Sequence, residues 1–60
     1  MEGKIYFINA FMEVDETENE ETQRLLLRAG NYFKTRAAAI RCLKLVSTII
    51  YNESNASDRL

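Results

Sequence analysis

The first long apolar segment is apolar on both of its alternating faces, and the period of the pattern later switches. From Ile5 to Val14 one parity holds Ile5, Phe7, Asn9, Phe11 and Glu13. The other holds Tyr6, Ile8, Ala10, Met12 and Val14. A period of two predicts strand, and Ile5–Ile8 is its surest part. Asn9 and Ala10 are weak strand formers and mark a bend. A second strand around Phe11–Val14 would complete a small hairpin. From Arg36 to Tyr51 the spacing becomes three and four. Ala39, Cys42, Leu43, Val46, Ile49 and Ile50 make one stripe, opposite Arg41, Lys44, Thr48 and Asn52. That spacing predicts a long amphipathic helix, helped by Ala37-Ala38-Ala39 and weakened late by β-branched residues.

Between these elements the pattern is polar. Asp15 to Thr22 lacks apolar residues and reads as a solvated loop, able to run into a short helix. Glu20 to Ala29 has helix-forming composition, with acids first and arginines last, as the helix dipole favours. Gly30 then suits the C′ position. A strand through Leu25–Leu27 is the rival reading. Gly30-Asn31-Tyr32-Phe33-Lys34-Thr35 reads as a turn, a short apolar strand and an N-cap in six residues. Asn52 to Leu60 is polar and expected to fray. The fold class expected is α+β: a two- or three-stranded antiparallel sheet packed on one long C-terminal helix, with a possible short middle helix. Residues 1–60 make one domain, with an ordered core over 4–51 and Leu25–Leu27 closing one side.

Sixty residues bury only about 60% of the surface of the unfolded chain. Such a domain leans on a partner, a metal or disulfides. One cysteine and no histidine leave neither an internal disulfide nor the usual zinc ligand sets. A homodimer or another protein is therefore the expected source of extra burial. The start lacks the charged region and apolar core of a signal peptide. No apolar run reaches the roughly 20 residues that span a membrane. The expected location is the cytoplasm. Asn52-Glu53-Ser54 and Asn55-Ala56-Ser57 match the glycosylation pattern, which has no meaning there.

The net charge of −1 hides a segregation. Residues 1–22 carry seven acids against Lys4, a balance of −6; residues 23–60 carry seven bases against Glu53 and Asp58, a balance of +5. The acids Glu13, Asp15, Glu16, Glu18, Glu20 and Glu21 form a candidate partner-binding segment. Rows of carboxylates attract a basic surface, including the nucleic-acid channel of an enzyme. Tyr6, Phe7 and Phe11 are either interface anchors or core. Lys34, Arg36, Arg41 and Lys44 form the alternative, a basic helix face for nucleic acid, with Tyr32 or Tyr51 for stacking.

Catalytic, cofactor-binding and metal-binding residues are not expected. Cys42 sits on the apolar stripe, as an inert thiol does. The acidic run lacks the glycine and ordered spacing of a calcium loop, so a solvated surface is the preferred reading. The only glycines, Gly3 and Gly30, make no phosphate loop.

Lys4-Ile5-Tyr6-Phe7-Ile8-Asn9 and Gly30-Asn31-Tyr32-Phe33-Lys34-Thr35 resemble a group of small proteins of bacteriophages and mobile elements. The resemblance spans roughly residues 4–46 and implies the fold and a phage-type origin. It implies no activity. That group typically has acids after the cap, whereas this chain has Arg36-Ala37-Ala38-Ala39, which removes the capping box. The function expected is a non-enzymatic, phage-type accessory protein. It would bind and inhibit a host or phage macromolecule, a nucleic-acid-handling enzyme or defence complex, by stoichiometric contact. A small nucleic-acid-binding protein and a structural or assembly oligomer are the alternatives.

Overall fold

A computed structural model describes residues 3–58, with side chains described through Asn55. The order is β1 (Ile5–Ile8), β2 (Val14–Thr17), α1 (Glu20–Arg28) and α2 (Arg36–Asp58). β1 and β2 pair antiparallel, with Ile5 opposite Thr17, Tyr6 opposite Glu16, Phe7 opposite Asp15 and Ile8 opposite Val14. The class is α+β, with α2 packed on the sheet.

The hairpin is closed by Asn9. Its Oδ1 accepts from the backbone N–H of Phe11 (2.9 Å) and Glu13 (3.0 Å). Asn9 N–H donates to the Glu13 carbonyl at 2.9 Å. This turn takes up Ala10 to Glu13 and forces Met12 to φ 61°, the left-handed region that L residues disfavour. The second strand therefore begins at Val14, three residues beyond the start expected from alternation. The stretch from Asp15, expected as loop, supplies most of β2 and then α1. Acidic residues suit β2 because it lies at the sheet edge, where charge discourages further pairing.

α1 follows from its termini. Asn19 caps it through Oδ1, accepting from Thr22 N–H at 2.8 Å, and Glu20 and Glu21 occupy the first turn. At the other end Gly30 (φ 78°) allows the chain to turn back. The N–H of Asn31 bonds the Leu26 carbonyl and that of Gly30 the Leu27 carbonyl, at 2.9 and 3.1 Å, the Schellman pairing. The strand reading of Leu25–Leu27 is thereby overturned. Leu25 and Leu27 point to solvent; Leu26 is half-buried, and the residue α1 buries is Gln23, 1% exposed. Gln23 Nε2 donates to the carbonyls of Gly3 (3.0 Å) and Thr17 (3.4 Å), pinning α1 to the open end of the hairpin. Closure by Leu25–Leu27 is corrected to closure by one glutamine.

The expected third strand is reduced to a bridge. Tyr6 and Phe33 exchange two backbone hydrogen bonds, 2.8 and 2.9 Å. Two residues earlier the side chain of Asn31 takes the place of a strand backbone. Its Oδ1 accepts from Ile8 N–H at 2.8 Å and its Nδ2 donates to the Ile8 carbonyl at 2.7 Å. The amide thus continues the ladder where the chain has curved into the Gly30 turn.

Thr35 caps α2, its Oγ1 accepting from Ala38 N–H at 3.2 Å. Ala39, fully buried, lets the helix approach the sheet closely. α2 continues to Asp58, past the expected end at Tyr51 and through most of the expected tail; Arg59 and Leu60 lie outside the described residues. Among the described residues the buried hydrophobics are Ile5 and Ala39. The apolar surface is correspondingly large, and the molecule measures 46 × 20 × 15 Å because α2 extends beyond the sheet.

Candidate functional site: the hairpin tip and the α2 groove

The turn that closes the hairpin presents an aromatic ring to solvent. Phe11 is 83% exposed. It sits in a loop with its backbone fixed by the Asn9 carboxamide, between Asn9 and the left-handed Met12. A large apolar side chain on a turn held this way contributes nothing to the core. It is suited to insert into a partner with little loss of chain entropy.

Below the tip lies an apolar groove of about 340 Å³, lined by Ile8, Asn9, Met12, Gly30, Asn31, Phe33, Cys42 and Val46. Three elements meet there: the end of β1, the Gly30 turn and the middle of α2. Cys42, expected to be a buried thiol, is half-buried and lines the groove. Its neighbours in the lining carry no charged group.

The candidate charged residues divide. Glu16 is engaged: its carboxylate meets Lys4 Nζ at 2.9 Å and Arg36 Nη2 at 3.4 Å. The hydrogen bond from Lys4 holds the Glu16 carboxyl below its ordinary value and raises Lys4 in turn. Arg36 also lies 5.6 Å from the centre of the Tyr6 ring, in cation–π contact. One member of the acidic set and one of the basic set therefore hold each other, tying the start of α2 to the hairpin. Glu13 in the turn before β2, Asp15 on β2 and Glu18 in the loop after it are exposed; Glu20 and Glu21 stand on the first turn of α1. Asp15 accepts from the Glu16 N–H at 2.8 Å. Lys34, Arg41 and Lys44 are exposed, Lys34 before α2 and the other two along it.

Among the described residues no group of three or more His, Cys, Asp or Glu residues is placed to hold a metal ion, and no helix is long and apolar enough to cross a membrane. Phe11 carried a sequence signal, its aromatic ring beside weak strand formers. The groove carried none, because it depends on how the Gly30 turn meets α2. Comparison with family models, with curated proteins and with solved structures finds no match to this chain.

Proposed function

We propose that this chain is a small non-catalytic binding protein that acts by stoichiometric contact with a basic protein surface. The exposure of Phe11 on a turn locked by Asn9 carries the reading. Phe11 serves as the anchor. Glu13, Asp15 and Glu18, exposed beside it and along β2, supply the field that speeds encounter and selects a basic partner. The segregated charge favours a nucleic-acid-handling enzyme or defence complex as the target, inhibited by occupation of its basic surface.

The basic helix face supports nucleic-acid binding less well, since Arg36 is held by Glu16 and Tyr6. The proposal is tested by affinity capture from bacterial lysate, with wild type and Phe11→Ala as parallel baits. Phe11→Ala keeps the fold by circular dichroism and loses the captured protein. Equal capture by both baits rejects Phe11 as the anchor. Charge reversal at Glu13, Asp15 and Glu18 abolishes capture and removes its salt dependence.

A further inference from the structure

The two edges of the sheet differ. On β1 the backbone groups of Tyr6 and Ile8 point away from β2 and are spent on Phe33 and on the Asn31 amide. In an antiparallel ladder, a residue that turns its backbone groups away from its neighbour stands opposite one that does the same. Glu16 and Val14, opposite Tyr6 and Ile8, therefore turn their N–H and carbonyl groups outward from β2. Within the described residues no hydrogen bond uses the Val14 N–H, the Val14 carbonyl or the Glu16 carbonyl. The fourth outward group, Glu16 N–H, donates to the Asp15 carboxylate at 2.8 Å. β2 is thus an open edge with one donor covered by the side chain next to it.

We propose that Asp15 keeps this chain from pairing with a second copy of itself through β2. An open edge is a template for another strand, and β2 of a second copy is always at hand. The two-fold register that pairs every outward group sets Val14 opposite Glu16 of the second copy. It also sets Asp15 opposite its own counterpart, as a non-hydrogen-bonded pair whose Cα atoms approach to about 4.5 Å. Like charges directly opposite destabilise a strand pair. The same carboxylate holds Glu16 N–H, so this pairing also lacks the hydrogen bonds that the two Glu16 donors would make.

Neighbouring registers fail on charge too. Centring the pair on Val14 brings Asp15 against Glu13 of the second copy; centring it on Glu16 sets that acid opposite itself. Glu16 is neutralised within its own chain by Lys4 at 2.9 Å and Arg36 at 3.4 Å. Among the described residues no cation pairs with Asp15, so its charge meets an incoming strand in full. Asp15 is also exposed, and its side chain has no part in the core. What it does for the single chain is cover one donor of the edge. The inference does not depend on the partner proposed above.

Sedimentation equilibrium of the full chain, with amide hydrogen exchange read residue by residue by NMR, tests it. In wild type the Val14 amide exchanges at a rate independent of protein concentration. Asp15→Thr puts a better strand former at the position and removes charge and block together. It is expected to self-associate at least about tenfold more tightly than wild type, with the Val14 and Glu16 amides protected as concentration rises. Asp15→Asn removes the charge and keeps the acceptor, and falls between the two. Wild-type protection of Val14 that grows with concentration overturns the inference. So does an Asp15→Thr chain that associates no more than wild type, or one that associates with Val14 exchange unchanged, since its contact then lies elsewhere. If Asp15→Thr loses its fold by circular dichroism, Asp15→Asn decides: Val14 exchange that stays independent of concentration overturns the inference.

Discussion

Replacing Asn31 by Ala removes both hydrogen bonds by which its side chain extends the sheet at Ile8. Those bonds, 2.8 and 2.7 Å, satisfy one backbone donor and one acceptor in a part-buried place. Each is worth about 1 kcal/mol net, and a buried group left unpaired costs about 1–3 kcal/mol. Water reaches part of the site, so the lower end applies, and the loss is about 2 kcal/mol. For a domain of this size total stability is about 3–9 kcal/mol, and 1 kcal/mol moves Tm by about 4–8 °C. Asn31→Ala is therefore expected to lower Tm by about 10 °C, and to lower the urea midpoint with an unchanged slope. Urea titration followed by far-UV circular dichroism measures both. Asn31→Asp sharpens the test. Its carboxylate still accepts from Ile8 N–H but faces the Ile8 carbonyl without a proton. Its instability is present above the carboxyl's titration and shrinks as pH falls and the protonated acid donates again. An Asn31→Ala variant with the wild-type midpoint would refute the role given to this side chain.

Gln23 gives a second measurement. Gln23→Ala loses two hydrogen bonds, leaves a cavity and costs about 2–3 kcal/mol. Gln23→Met, of similar shape, costs less, because it fills the space that alanine leaves empty; thermal melts that rank Met below Ala would contradict this. Glu16→Gln loses the pairing with Lys4 and Arg36. Because the folded Glu16 carboxyl titrates below its ordinary value, its contribution is present above the unfolded value and lost as pH falls through the folded one. Melts of wild type and variant should converge at acid pH, and a gap that persists there contradicts the pairing.

The helices were legible from local rules. The Thr35 cap, the three-and-four spacing after it, and the acid-first, Gly30-last order of α1 each act within a few residues. The hairpin was legible in kind but not in register. Alternation favoured Phe11–Val14, but the Asn9 side chain organises a turn that consumes Phe11 to Glu13, and β2 took the sequence Val-Asp-Glu-Thr, of low strand propensity. Asn31 in the sheet and Gln23 in the core were not legible, because both depend on backbone atoms more than 15 residues distant or brought close by the turn geometry of other elements. Glu16 and Arg36 drew opposite site assignments from their charges; only the fold shows that they neutralise one another. The apolar stripe of α2 was legible, but not that Ile49 and Ile50 at its far end stay exposed, which follows from α2 extending beyond the short sheet.

The central claim, recognition through the hairpin tip, meets its most direct test in quantitative capture from bacterial lysate on wild-type and Phe11→Ala baits of verified fold. One protein retained in equimolar amount by wild type, and lost from Phe11→Ala, is the result expected. No stoichiometric partner on wild type, or the same partner in equal amount on both baits, contradicts it.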